Sequence, residues 1–190
     1  MKKLTREDYL LVASKELSKT IFKGYKLPKF RVSTGFTGSK GGIKKVVGVC
    51  WNANAAHDKV AQIFISPIED DSLEVLGTLI HEIIHAMHPK AGHKNEFRKT
   101  ALDVGLTGKM TSTKSSKELV VCLNALIKKI GKYPHAKLTP SKSGVKKQGT
   151  RLLKASCDCG YTIRITKTWA LLGLPTCPLC DVTLYLETQD

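Results

Sequence analysis

The stretch His81-Glu82-Ile83-Ile84-His85 constrains this chain more than any other. Two histidines four residues apart face the same side of a helix and can grip one metal ion. The glutamate after the first lies within reach of a water on that metal. The flanking residues supply the helix. Leu73, Leu76, Ile80, Ile83, Ile84 and Met87 recur at helical spacing in a run without proline. Asp71 followed by Glu74 predicts an N-terminal cap of the capping-box type, and Pro89 closes the segment.

A hydrolytic zinc takes three protein ligands and leaves one position open. His81 and His85 are two, and His88, His93 and Glu96 lie just downstream as candidates for the third. His88 falls at the helix end, where a histidine suits the last carbonyls. Glu96 falls early in the next helix, where an acid suits the dipole, and it remains the weaker option. His93 follows Pro89 and Gly92, where the chain can reverse and return a side chain to the metal, so His93 is favoured. The expected catalytic zinc is thus held by His81, His85 and His93, with Glu82 as general base. His57 and Tyr133 are guesses for an oxyanion donor.

The chain has six cysteines. Four form two pairs, Cys157-Asp158-Cys159 and Cys177-Pro178-Leu179-Cys180, and predict one structural zinc held by Cys157, Cys159, Cys177 and Cys180. The first pair is a residue shorter than the usual spacing, and Gly160 behind it lets amides turn toward sulfur. A segment starting near Arg151 has too little core to fold without such a clamp. Cys50 and Cys122 sit among apolar residues and are expected to be buried. The N-terminus lacks the apolar core of a signal peptide, and no run of eighteen apolar residues occurs, so no membrane partner is expected. The expected location is the cytoplasm, nucleoid-associated, or the host cytoplasm for a viral protein.

The formal charge of +15 is concentrated. Between Lys109 and Lys167 fourteen Lys and Arg face two acids, Glu118 and Asp158. Such a block suits a polyanion, nucleic acid first. The residues expected to touch it are Lys142, Lys146, Lys147, Arg151, Lys154, Arg164 and Lys167, with Trp169 to stack on bases. Lysines on a linker meet phosphates rather than base edges, so the expected binding is not sequence-specific.

Periodicity predicts a helix from Arg6 to Phe22, strands at Phe30 to Phe36, Ile43 to Trp51 and Val60 to Ser66, and a turn at Thr37 to Gly42. After the His81 helix come a short helix from Asn95 to Val104 stopped by Gly105, a polar loop from Thr107 to Ser116, and a helix from Lys117 to Ile130. His135 to Thr150 reads as a basic linker, and Ile163, Ile165 and Trp169 lie between the cysteine pairs in a small hairpin.

Thr78-Leu79-Ile80-His81-Glu82-Ile83-Ile84-His85-Ala86, then Gly92-His93, Phe97 and Gly105, resemble the core of the SprT-like metalloproteases, which include the Spartan proteases. Gly48-Val49-Cys50-Trp51 and Ile63-Phe64-Ile65-Ser66-Pro67 are similar to the strand pair before that family's active helix. The two cysteine pairs are similar to the zinc ribbon that many members append. Lys94 departs from the family, which often has a second glycine there. The resemblance implies an α+β chain. A zincin-like protease core would occupy 1–134, a basic linker 135–150 and a zinc ribbon 151–190. It implies one catalytic and one structural zinc. The activity it implies is cleavage of DNA-associated proteins by a monomer of compact bacterial or viral type. Three readings compete: a general zinc peptidase indifferent to DNA, a nucleic-acid-binding protein whose HExxH site is structural or idle, and a zinc hydrolase of a non-peptide bond.

Overall fold

The structure is a computed structural model, and residues 4–36, 46–139 and 152–187 are described. Helices and small sheets are mixed, so the chain is α+β, as expected. It divides into two compact units, 1–140 and 141–190.

In the first unit α1 (Arg6–Lys19) starts at a complete capping box. The Thr5 side chain accepts from the Asp8 amide, and the Asp8 carboxylate accepts from the Thr5 amide. The helix ends earlier than its apolar pattern suggests, because the Thr20 amide bonds back to Glu16 and Leu17 and the chain turns. Tyr9, Leu10, Ala13 and Leu17 are buried on its inner face.

Strands β1 (Phe30–Thr34), β2 (Gly48–Trp51) and β3 (Ala61–Ile65) form one sheet in the order β1-β3-β2. The β1–β3 pair is parallel and the β2–β3 pair antiparallel, which leaves β2 at an edge. Strand β3 alternates strictly: Ala61, Ile63 and Ile65 are buried, so one face of the sheet meets the helices. The expected turn at 37–42 and the start of the second strand lie outside the described residues.

Helix α2 (Ser72–Met87) packs on β2 and β3 and against α1, α3 and α4. Asp71 caps it, accepting from the amides of Leu73 and Glu74. The reciprocal arm of the expected box comes from elsewhere: Glu69, not Glu74, accepts from the Asp71 amide. Val75, Leu76, Leu79, Ile80, Ile83 and Ile84 are fully buried, so the helix is the centre of the core. At about 1.5–3 kcal/mol for each such side chain, this one helix supplies much of the apolar driving force.

Helix α3 (Asn95–Asp103) follows a short turn, and Gly105 ends it in the left-handed region at φ +90°. The segment expected to be a polar loop is instead a hairpin, β4 (Leu106–Lys109) paired with β5 (Ser112–Ser115). Helix α4 (Lys117–Ile130), capped by Ser116, closes the unit. The start of the expected linker is tied to this unit. The Ala136 carbonyl accepts from Arg6, the Leu138 amide donates to Pro67, and the Lys137 amide donates to Asp70.

In the second unit β6 (Leu152–Ser156) is central in a sheet ordered β7-β6-β8, with β7 (Thr162–Thr166) and β8 (Tyr185–Leu186) both antiparallel to it. A short helix α5 (Lys167–Leu172), absent from the sequence reading, follows β7. The buried core is small: Ala155, Cys157, Cys177 and Leu184. No helix among the described residues is long and apolar enough to cross a membrane.

Candidate metal centres and cleft

His81 and His85 lie one turn apart on α2. His93 reaches them from the turn between α2 and α3, where Gly92 takes a left-handed φ of +55° and the chain doubles back. The three Nε2 atoms form a triangle with sides of 3.1, 3.2 and 3.3 Å. Hydrogen bonds cannot satisfy such a triangle, because each Nε2 either donates one proton or accepts, never both. A cation resolves it. Nitrogens bound to one tetrahedral zinc at about 2.0–2.1 Å lie about 3.3–3.4 Å apart, so the spacing fits a single ion with its fourth position free.

The surroundings favour neutral ligands. Burial pushes His81 down to about 3 and His85 down to about 4, helped at His81 by His85 and His93 and at His85 by His93. Burial also lowers His93. Phe97 of α3, fully buried, lies edge-on to His81 and His93 and tilted against His85, at centroid distances of 4.8, 5.1 and 4.4 Å. This apolar backing holds the rings and excludes water from one side. Thr113 of β5 lies 2.9 Å from His81 Nδ1.

Glu82 is 5% exposed, and burial raises its carboxyl to about 8. A cation among the histidines would oppose that shift and restore the carboxylate. Glu82 lines the same cleft as the three histidines. The cleft measures about 460 Å³. Its floor is α2, one wall is Val46 to Cys50, and the other is Thr111 to Ser115. Gly48 lets β2 close on the floor: a β carbon there would lie 2.6 Å from Thr78 Cγ2 and 2.8 Å from Glu82 Oε1.

The other sequence candidates fall elsewhere. His88 caps the end of α2: its backbone amide donates to the Ile84 carbonyl, while its ring Nε2 sits 2.9 Å from the Thr100 hydroxyl and ties α2 to α3. Glu96 is exposed and sits 3.9 Å from His88, outside the histidine cluster. Neither oxyanion guess lines the cleft. His57 is exposed in another loop, and Tyr133 is buried edge-on against Tyr9. The sequence pattern does not mark the hairpin wall or Thr113; its signal is three β-branched threonines, Thr107, Thr111 and Thr113, in a run whose one large apolar residue is Met110.

The four cysteines of the second unit also converge. Cys157 Sγ lies 3.2 Å from Cys180 Sγ, and Cys159 Sγ lies 3.5 Å from Cys177 Sγ. All four sulfurs fall within 4.8 Å of one another. Sulfurs on one zinc at about 2.3 Å are about 3.8 Å apart, so this cluster too can hold one ion. The first pair sits at the β6–β7 turn, where Gly160 at φ +90° donates its amide to the Cys157 carbonyl rather than to sulfur. The second pair sits in a turn closed by a Thr176–Thr183 bridge, and the Leu179 amide does point at Cys177 Sγ. Of the two remaining cysteines, Cys50 is half-buried at the cleft wall, and Cys122 is exposed on α4 rather than buried.

Of the basic residues expected at nucleic acid, Lys142, Lys146, Lys147 and Arg151 lie outside the described residues. Arg164 and Lys167 are exposed, as is Trp169 at 63%. Lys154 is half-buried and paired with Glu187 at 2.6 Å, which neutralises it in part. Comparison of the chain with family models, with curated proteins and with solved structures found no match to any of them.

Proposed function

We propose that this chain is a SprT-like zinc metalloprotease: a zincin core, a zinc ribbon, and protein substrates held on DNA. The observation that carries the reading is the convergence of His81, His85 and His93 at the floor of a cleft that Glu82 also lines. The donor set suits zinc: three neutral imidazoles with one position left open. A zinc ion there would supply Lewis acidity toward a carbonyl oxygen and acidify a water.

The chain's own residues would do the rest. Glu82 accepts a proton from the attacking water and passes it to the leaving amine nitrogen. Its burial strengthens that role, since a desolvated carboxylate holds a proton more tightly than a solvated one. Among the described residues β2 is paired on its β3 side alone, and an extended backbone can pair with its other edge without regard to side chains. The cleft admits a strand more readily than a folded domain. Cys157, Cys159, Cys177 and Cys180 hold the second zinc as a closed structural site. Exposed Arg164, Lys167 and Trp169, together with the basic block before them, supply contacts for phosphates and bases.

The test incubates the purified protein with a DNA-binding protein, with and without DNA, and compares wild type with Glu82→Gln. Cleavage by wild type, stimulated by DNA and absent in the variant while its zinc content is unchanged, is the expected result. Equal cleavage without DNA would point to a general peptidase. DNA binding with no Glu82-dependent cleavage of any protein would point to a binding module with an idle site.

A further inference from the structure

Helix α2 is gripped on the hairpin side through two contacts that are in register. Strand β5 alternates: Ser112 and Lys114 are exposed, while Thr113 and Ser115 are half-buried. Thr113 Oγ1 lies 2.9 Å from His81 Nδ1. Ser115 sits over Gly77, where an added β carbon would be 3.2 Å from its Oγ. From Gly77 to His81 the helix rises about 6 Å, and from Ser115 back to Thr113 the strand rises about 6.6 Å. The strand therefore runs beside the helix in the opposite direction, and the missing side chain at Gly77 sets the approach that brings Thr113 to the imidazole. Among the described residues, the hydrogen-bond contacts of His85 and His93 run through Nε2 alone. Among those residues His81 is the one ring of the three with a hydrogen-bond partner at Nδ1.

We propose that Thr113 is a positioning residue for the metal site: its hydroxyl oxygen accepts the Nδ1 proton of His81 and holds the ring in the tautomer whose Nε2 lone pair faces the other two. The inference rests on the three histidines being a metal site. A neutral imidazole carries one proton, and the partner at one nitrogen decides which nitrogen keeps it. With Nδ1–H directed at Thr113, Nε2 is left free to bind the cation and the ring is fixed in orientation. The partner belongs to the cleft wall, not to the helix. Loading of the metal and seating of the β4–β5 hairpin therefore favour each other, and the wall is best formed when the site is filled.

The experiment compares the full chain with Thr113→Val, which keeps the β-branched shape and loses the acceptor, and with Thr113→Ser, which restores it. Zinc affinity is read by competition with a chelator, and the ring ¹⁵N shifts of His81, His85 and His93 report their own site separately from the cysteines. Thr113→Val is expected to bind zinc about 10- to 100-fold more weakly, with Thr113→Ser close to wild type. In the zinc-loaded wild type, the His81 Nδ1 proton should exchange with solvent more slowly than those of His85 and His93. That exchange measurement stands even if Thr113→Val does not fold. Equal exchange at the three rings, or zinc held as tightly by a folded Thr113→Val, overturns the role of Thr113 and leaves the metal site standing. Absence of zinc from the three histidines of the wild type overturns both.

Discussion

Gly48 on β2 and Glu82 on α2 are packed so closely that a β carbon on Gly48 would lie 2.8 Å from the glutamate Oε1 and 2.6 Å from Thr78 Cγ2. The edge strand and Glu82, the proposed general base, are thus positioned by the absence of a side chain. Gly48→Ala must push β2 outward or displace the carboxylate. Because a misplacement of about 1 Å can cost about 100-fold in rate, this variant should lose cleavage on that order. Its zinc content should stay at the wild-type level, since the atoms nearest the added β carbon belong to Thr78 and Glu82 rather than to a histidine. A zinc assay beside a peptidase assay checks both halves, and an active Gly48→Ala would show that the contact is not needed.

Phe97 presents a second dependence. It is fully buried and lies against all three imidazoles. Phe97→Ala removes core volume at a cost of about 3–5 kcal/mol and should lower the melting temperature of the first unit sharply. Phe97→Leu keeps most of the volume and loses the aromatic contacts with the imidazoles. It should fold and hold zinc more weakly than wild type. Unchanged zinc affinity in Phe97→Leu would reduce the residue to simple core packing.

The two clusters should load independently, because they lie in different units. His93→Ala is expected to lower metal content by one ion and Glu96→Ala by none, given that Glu96 faces His88 and not the cluster. Cys177→Ser is expected to remove the other ion and to unfold mainly the second unit, whose buried core has four residues among those described. Metal analysis of the three variants checks this, and a wild type with one ion would eliminate one of the two sites.

Nucleic-acid binding should fall steeply with salt, since each neutralised phosphate releases counterion. Charge reversal at Arg164 and Lys167, both exposed, should weaken binding and lower the salt slope, while Lys154, paired with Glu187, should matter less. Titrations of fluorescent DNA across a salt series would measure it. An equal effect from Lys154→Glu would mean that the ion pair opens on binding.

Local chemistry was legible in the chain. The helix that carries the two histidines announces itself by apolar spacing, an acidic cap at Asp71 and Pro89 at its end, because helix formation depends on neighbours within a turn or two. The four cysteines and His93 could be proposed as ligands for the same reason: few residue types bind metal, and their spacing is short-range information. The α+β class, which the resemblance implied, agrees with the order of these local patterns.

Contacts between distant segments were not legible. The polar run from Thr107 to Ser115 lacks the apolar alternation that marks a strand with one face on a core. It borders a cleft, where its inward side chains are a threonine hydroxyl on His81 and a serine over Gly77. The Glu69 arm of the α2 cap, the exposure of Cys122 and the pairing of Lys154 with Glu187 were equally hidden. Each depends on which faces the fold brings together. Residue identity and spacing limit what a side chain can do, whereas packing between elements decides which neighbour it meets.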